Sequence, residues 1–135
     1  MDVFDKDKRS WIMSRIKGKG TTPEIKVCSM VHRLGYRFRK NSSKLYGNPD
    51  IVLKRHNKII FIHGCFWHGH ENCKRSSRPT TNTDFWNKKI DTNIVRDRKN
   101  LNILEAHGWR VLTVWQCELR KPESLLGKLK YFLET

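Results

Sequence analysis

An apolar run, Ile59-Ile60-Phe61-Ile62, leads straight into His63-Gly64-Cys65-Phe66-Trp67-His68-Gly69-His70-Glu71-Asn72-Cys73. The run itself is β-branched and aromatic, the composition of a strand. No packing requirement asks for the mixture of imidazoles, thiols and two large aromatics beyond it. Three histidines, two cysteines and the Phe66-Trp67 pair cannot all be core residues, so part of the segment serves chemistry. Any fold of this chain must therefore present the end of that strand to solvent or to a ligand.

The surrounding pattern is that of a small α/β domain. At 135 residues the chain has the length of one domain with one core. Thr22 as N-cap, Pro23 at the first helical position, and Val27, Met30, Val31 and Leu34 at helical spacing predict a helix closed by Gly35. Tyr36 to Arg39 reads as a short strand and Asn41 to Asn48 as a loop. Ile51 to Lys54 and Lys58 to Ile62 flank His56-Asn57 and predict an antiparallel hairpin, although its turn has no glycine. From Asp84, the residues Phe85, Trp86, Ile90, Ile94, Leu101 and Leu104 form a helical stripe ending at Gly108, and Arg110 to Gln116 reads as a buried strand. A helix feeding an apolar strand implies a crossover and parallel pairing. Pro122 opens a last helix carrying Leu125, Leu126, Leu129 and Phe132. The expectation is a single domain over residues 1–135, a mixed central sheet flanked by helices, preceded by a basic helix or arm within residues 1–20.

Charge narrows the class of partner. Twenty-eight Lys and Arg against 13 Asp and Glu leave a net charge of +15. A field of one sign on so small a body repels itself unless a polyanion is present, which points to nucleic acid. A merely solubilising basic surface is the alternative. The basic residues are spread over the chain, at Lys6 to Arg15, Arg37 to Lys44, Lys74 to Arg78, Lys88-Lys89 and Arg96 to Lys99, as a folded binding face requires. No stretch approaches the roughly 20 apolar residues of a membrane span, and charge rather than a signal core follows Met1. A soluble, cytoplasmic protein associated with the nucleoid through DNA is expected, and its cysteines should be thiols or metal ligands.

Cys65, His70 and Cys73 stand close in sequence, and Cys117 ends the last strand, where a mixed sheet can bring it beside them. Three thiolates and one imidazole make a closed, fourfold zinc site. Free buried thiols are the alternative, illustrated by Cys28, which stands on a helix near Val31 with no ligand partner in sequence.

A second constellation has hydrolytic character. Asp50 opens one strand of the hairpin and His63 ends the other, so carboxylate and imidazole converge at one edge of the sheet. Phosphodiester hydrolysis needs a hard cation, a carboxylate to hold it and a group to move protons. Asp50 and the backbone carbonyl of Ile62 are candidate Mg²⁺ ligands, with His63 and His68 to position and deprotonate water or support the phosphate. A turn role for Asp50 and inert histidines are the alternatives. Asp97 falls on the apolar side of its helix and needs a partner, either the ring N–H of His68 or a neighbouring arginine such as Arg98.

Taken together, Asp5-Lys6, Arg9-Ser10 and Met13, Thr22-Pro23-Glu24, Gly47-Asn48-Pro49-Asp50, Phe61 to His68, Phe85-Trp86, Arg96-Asp97-Arg98, Gly108 to Leu112 and Trp115-Gln116-Cys117 resemble the very short patch repair DNA mismatch endonucleases over nearly the whole chain. The resemblance implies a restriction-endonuclease-like fold and nicking of one strand of duplex DNA beside a T:G mismatch, leaving a 3′-hydroxyl and a 5′-phosphate. It implies Asp50 and Ile62 as magnesium ligands, His63 and His68 as catalytic histidines, Glu24 as an accessory acid and Asp97 as the partner of His68. Cys65, His70, Cys73 and Cys117 match the zinc set. Phe66, Trp67 and Trp86 resemble aromatics that enter the base stack from the major groove, and Met13 one that approaches from the minor groove. A monomer is expected, with a mismatch-repair protein as a candidate partner. The segment before Cys73 is one residue longer and poorer in histidine than the family pattern. Two competing readings stay open: a nicking or restriction-like nuclease of broader specificity, and a non-catalytic zinc-stabilised DNA-binding module.

Overall fold

The computed structural model describes residues 22–135; Met13 and the arm expected within residues 1–20 lie outside them. Helix α1 (Thr22–Arg33) is followed by β1 (Arg39–Lys40), β2 (Ile51–Leu53), β3 (Lys58–His63), α2 (Thr83–Ala106), β4 (Arg110–Trp115) and α3 (Pro122–Glu134). The strands form one sheet in the order β1-β2-β3-β4. β1 pairs antiparallel with β2, and β2 antiparallel with β3, while β3 and β4 run parallel, joined by the crossover through α2.

The antiparallel hairpin is present, with β2 ending at Leu53 rather than Lys54 and β3 running on to His63, and the missing glycine is explained. Lys54–His56 form a 3-10 turn and Asn57 takes the left-handed conformation, φ 55° and ψ 43°, which asparagine tolerates better than other side-chain-bearing residues. The glycine stops expected after α1 and α2 are also present. Gly35 has φ +91° and Gly108 φ +92°. Around each, a pair of tightened hydrogen bonds closes the helix: Gly35 N to His32 O with Tyr36 N to Val31 O, and Gly108 N to Glu105 O with Trp109 N to Leu104 O.

Alternation along β3 sorts its side chains between two cores. Ile60 and Ile62 pack with Val27 and Val31 of α1, Ile51, Leu53, Val114, and Leu125, Leu129 and Phe132 of α3. Ile59 and Phe61 face the other way, onto Val52, Leu104 of α2, Trp109 and Val111. With α1 and α3 on one face and α2 on the other, β3 is buried on both sides, which is why its sequence is continuously apolar.

Three expectations need correction. The first strand is not Tyr36 to Arg39 but Arg39–Lys40, because Tyr36 N is still engaged in closing α1. β4 ends at Trp115, with Gln116 starting a 3-10 turn, and only Val114 in it is fully buried, since β4 is a sheet edge. Phe85 and Leu126 lie on helices at apolar spacing yet stay exposed, Phe85 at 60%.

Candidate active site and cysteine-histidine cluster

The parallel register sets His63 directly beside Trp115 at the carboxyl ends of β3 and β4, the end of an open sheet where ligands are ordinarily received. β2 runs the other way, so Asp50, just before Ile51, returns to the same end. One Asp50 oxygen, Oδ2, accepts the Ile62 N–H at 2.6 Å. Burial pushes the Asp50 carboxyl up to about 7 against that hydrogen bond, and the charge of nearby Glu24 pushes it further the same way. Asp50, Glu24, Ile62, His63, His68, Asp97, Arg96 and Arg98 all line one cleft of 1060 Å³.

Within the cleft, His68 is held from two sides. Its Nδ1 lies 2.6 Å from Asp97 Oδ2 on α2, so of the two partners open to Asp97 it takes the histidine; Arg96 stands 3.9 Å from the other carboxylate oxygen. The His68 ring stacks on His63, centroids 3.8 Å apart and planes within 5°. Burial, with His68 beside it, brings the His63 imidazole down to about 4, so His63 is neutral near pH 7. His63, His68 and Asp97 stand close enough to share an ion. Their geometry argues against it, because parallel rings aim their in-plane lone pairs side by side rather than at one point, and His68 Nδ1 is committed to Asp97.

Immediately beyond, Cys65, His70, Cys73 and Cys117 bring one ligand atom each within 4.8 Å of one another. The donor set is soft and fits a thiophilic ion. Cys65 is fully buried, its sulfur accepts the Cys117 N–H at 3.4 Å, and Cys117 Sγ lies 3.5 Å from His70 Nδ1. Between His70 and Cys73, Asn72 takes a left-handed turn at φ 55°, and Ser76 Oγ donates to the carbonyls of both His70 and Cys73, which keeps the two beside each other. Cys28 stands apart, 2% exposed, its thiol pushed up to about 12 by burial, as a plain core residue.

The loop that carries both groups is pressed against α2. Gly69 has φ +59°, and a Cβ there would meet Ile94 Cδ1 at 2.5 Å and Ile90 Cγ2 at 3.1 Å, so a side chain at this position would be strained and would force Ile94 to shift. Asn93 Nδ2 donates to the Trp67 carbonyl at 2.9 Å. Trp67, 47% exposed, then joins Phe66 and Trp86 in a ring cluster with centroids 5.2 to 5.8 Å apart, which Phe85 extends. Lys88, Lys89, Arg96, Arg98 and Lys99 of α2 are exposed.

Sequence reasoning missed three contributors. Trp115 sits in an apolar run and reads as core, and only the β3–β4 register reveals it between His63 and His70. Asn93 was legible in principle, since it precedes Asp97 by one helical turn on the same face. Ser76 carries no signal before the loop is folded.

A cleft lined by acidic groups and by the exposed Arg96 and Arg98, with a carboxylate-held histidine and an aromatic patch alongside, has the parts of an enzyme that cuts nucleic acid. Residues 1–75 match the family model described as DNA mismatch endonuclease Vsr. Type II nicking enzyme V.NmeAIP of Neisseria meningitidis is 46% identical over 119 residues, covering 88% of this chain and 84% of that protein. Type II nicking enzyme V.XorIIP of Xanthomonas oryzae pv. oryzae is 41% identical over 133 residues, 98% of this chain and 97% of that one. The DNA mismatch endonuclease Vsr of Escherichia coli is 43% identical over 124 residues, 92% of this chain and 79% of that one. The chain belongs to the Vsr family of DNA endonucleases and is an endodeoxyribonuclease. Among the described residues no helix is long and apolar enough to cross a membrane.

Proposed function

We propose that this chain, acting as a monomer with a restriction-endonuclease-like architecture, is a magnesium-dependent enzyme that nicks one strand of duplex DNA beside a T:G mispair and so starts very short patch repair. The observation that carries this reading is the convergence of Asp50, His63 and the His68–Asp97 pair on one cleft, next to the partly exposed aromatics of the same loop.

Asp50 and the Ile62 carbonyl are hard oxygen donors, and the mutual repulsion of Asp50 and Glu24 is what a divalent cation relieves. Held there, magnesium supplies neutralisation of the charge that develops on the phosphoryl oxygens. The other roles belong to side chains. With Nδ1 of His68 turned to Asp97, Nε2 is left to take a proton from the attacking water. That water adds to phosphorus, the bond to O3′ breaks, O3′ takes up a proton from solvent, and the products are a 3′-hydroxyl and a 5′-phosphate. Neutral His63 donates one N–H toward the phosphate or the water, and Arg96 and Arg98 offset the negative charge of the backbone. Phe66, Trp67 and Trp86 enter the stack at the mispair, where separating base steps costs least. Cys65, His70, Cys73 and Cys117 would hold a structural zinc, and a set of four protein ligands would give it a supporting rather than a catalytic role. A mismatch-repair protein as partner is part of the same reading.

The names of the neisserial and xanthomonad relatives, nicking enzymes without mention of a mismatch, favour one alternative: the same chemistry with a looser mismatch requirement. Strand-resolved cleavage of a T:G duplex and its matched T:A control, with and without Mg²⁺, separates the two. The proposal requires cleavage confined to the T:G duplex and dependent on the ion.

A further inference from the structure

Trp115 stands between two groups that act on different problems. Its ring lies parallel to His70, centroids 4.1 Å apart and planes within 8°, and it meets His63 edge-on at 5.3 Å and 76°. His70 is in turn anchored in the cysteine cluster, with Nδ1 3.5 Å from Cys117 Sγ. The backbone of Trp115 is pinned as well: its N–H donates to Glu118 Oε1 at 2.9 Å, and Glu118 is paired with Lys128 of α3 at 2.9 Å. His63 therefore has His68 stacked on one side and a fixed indole on another, and the indole itself rests on a ring held by the cluster.

We propose that Trp115 is a positioning residue for strand nicking, which carries the rigidity of the cysteine-histidine cluster across the strand ends to the catalytic imidazole of His63. The inference rests on the proposed roles of His63 and of the zinc cluster. It gives His70 a second duty besides ligation, as the platform on which Trp115 stacks. A reacting group displaced by about 1 Å loses on the order of 100-fold in rate, so a wall of this kind matters even though it touches no substrate.

The test uses the full chain in three variants. Trp115→Leu removes the indole, Trp115→Phe keeps a ring that still stacks, and His70→Cys keeps a soft ligand for the ion while removing the ring beneath Trp115. Zinc content, melting temperature, T:G-duplex affinity, single-turnover nicking and the His63 ring signals by NMR are measured for each. Expected are zinc and duplex affinity close to wild type throughout, with nicking reduced roughly 10- to 100-fold in Trp115→Leu and His70→Cys and largely restored in Trp115→Phe. The His63 ring signals should be single and narrow in wild type and Trp115→Phe, and broadened or split in the other two.

Zinc-loaded His70→Cys that nicks at the wild-type rate with narrow His63 signals overturns the inference, and this arm decides the matter if Trp115→Leu fails to fold. Loss of activity in Trp115→Leu accompanied only by loss of zinc, with His70→Cys unaffected, overturns it too. Failure of the underlying reading looks different: wild-type protein that binds no zinc, or that leaves T:G duplexes intact.

Discussion

His68 Nδ1 and Asp97 Oδ2 lie 2.6 Å apart although 29 residues separate them, one on the loop after β3 and the other midway along α2. The pair fixes which nitrogen of His68 faces the cleft. Asp97→Asn can present its amide nitrogen instead of an acceptor, and the imidazole then offers the wrong tautomer. Single-turnover nicking should fall by roughly 100-fold or more while duplex affinity is unchanged. A full rate in Asp97→Asn would show that His68 needs no fixed tautomer.

Asp50 is the group for which function and stability pull apart. Burial raises its carboxyl from 3.8 to about 7. Between those values the folded chain holds a proton that the unfolded chain has released, so in metal-free protein this group's contribution falls as pH rises through that window. Asp50→Asn should abolish nicking and yet melt higher than wild type at about pH 8 without metal, an advantage that shrinks toward about pH 4. His63, lowered to about 4, works the opposite way, but it is common to both proteins and cancels in the comparison. Urea melts of the two metal-free proteins across pH check this; an Asp50→Asn protein less stable at every pH would contradict it.

For the cysteines, Cys73→Ser should lose the bound zinc and several degrees of melting temperature, whereas Cys28→Ser should keep the ion. Native Cys28, raised to about 12 and buried, should resist alkylation at mildly alkaline pH. Metal analysis and mass spectrometry of alkylated native protein read both outcomes. Unchanged zinc in Cys73→Ser removes that residue from the ligand set.

Much of this was legible from one-dimensional pattern because the determinants are local. Gly35 and Gly108 stop their helices, the β3 run is apolar on both faces, and Cys65, His70 and Cys73 are near neighbours in the chain. Bringing Cys117 to the other three needed the further reading that it follows the last strand beside β3; it lies two residues past the end of β4, in the 3-10 turn that Gln116 begins. What pattern alone did not reveal depends on register and on edges. Trp115 acquires its place only when β4 aligns it with His63, and β4 apart from Val114 is less buried than its composition implies because the strand has one neighbour. Phe85 follows a core spacing but belongs to the exposed aromatic cluster, a distinction that periodicity does not encode.

The aromatic cluster makes its own prediction. Replacing Phe66 and Trp67 together by Ala removes stacking of roughly 1–3 kcal/mol per base. T:G and matched duplexes should then bind with similar affinity, while backbone binding persists. If the two residues were core, melting temperature and all activity would fall together. A stably folded double variant that still discriminates would refute the wedge.

Binding should also weaken steeply with salt, since a chain of net charge +15 releases about 0.9 counterion per phosphate neutralised. A nearly flat dependence of the logarithm of affinity on the logarithm of salt would assign the charge to something other than DNA.

The most direct test of the central claim is the site of the first cut. End-labelled duplexes, one with a single T:G pair and one fully matched, are incubated with the protein with Mg²⁺ and with chelator. Expected is a single nick beside the mispaired thymine, with a 5′-phosphate, only in the T:G duplex and only with Mg²⁺. Equal cutting of the matched duplex, or cutting that survives both chelator and Asp50→Asn, would contradict it.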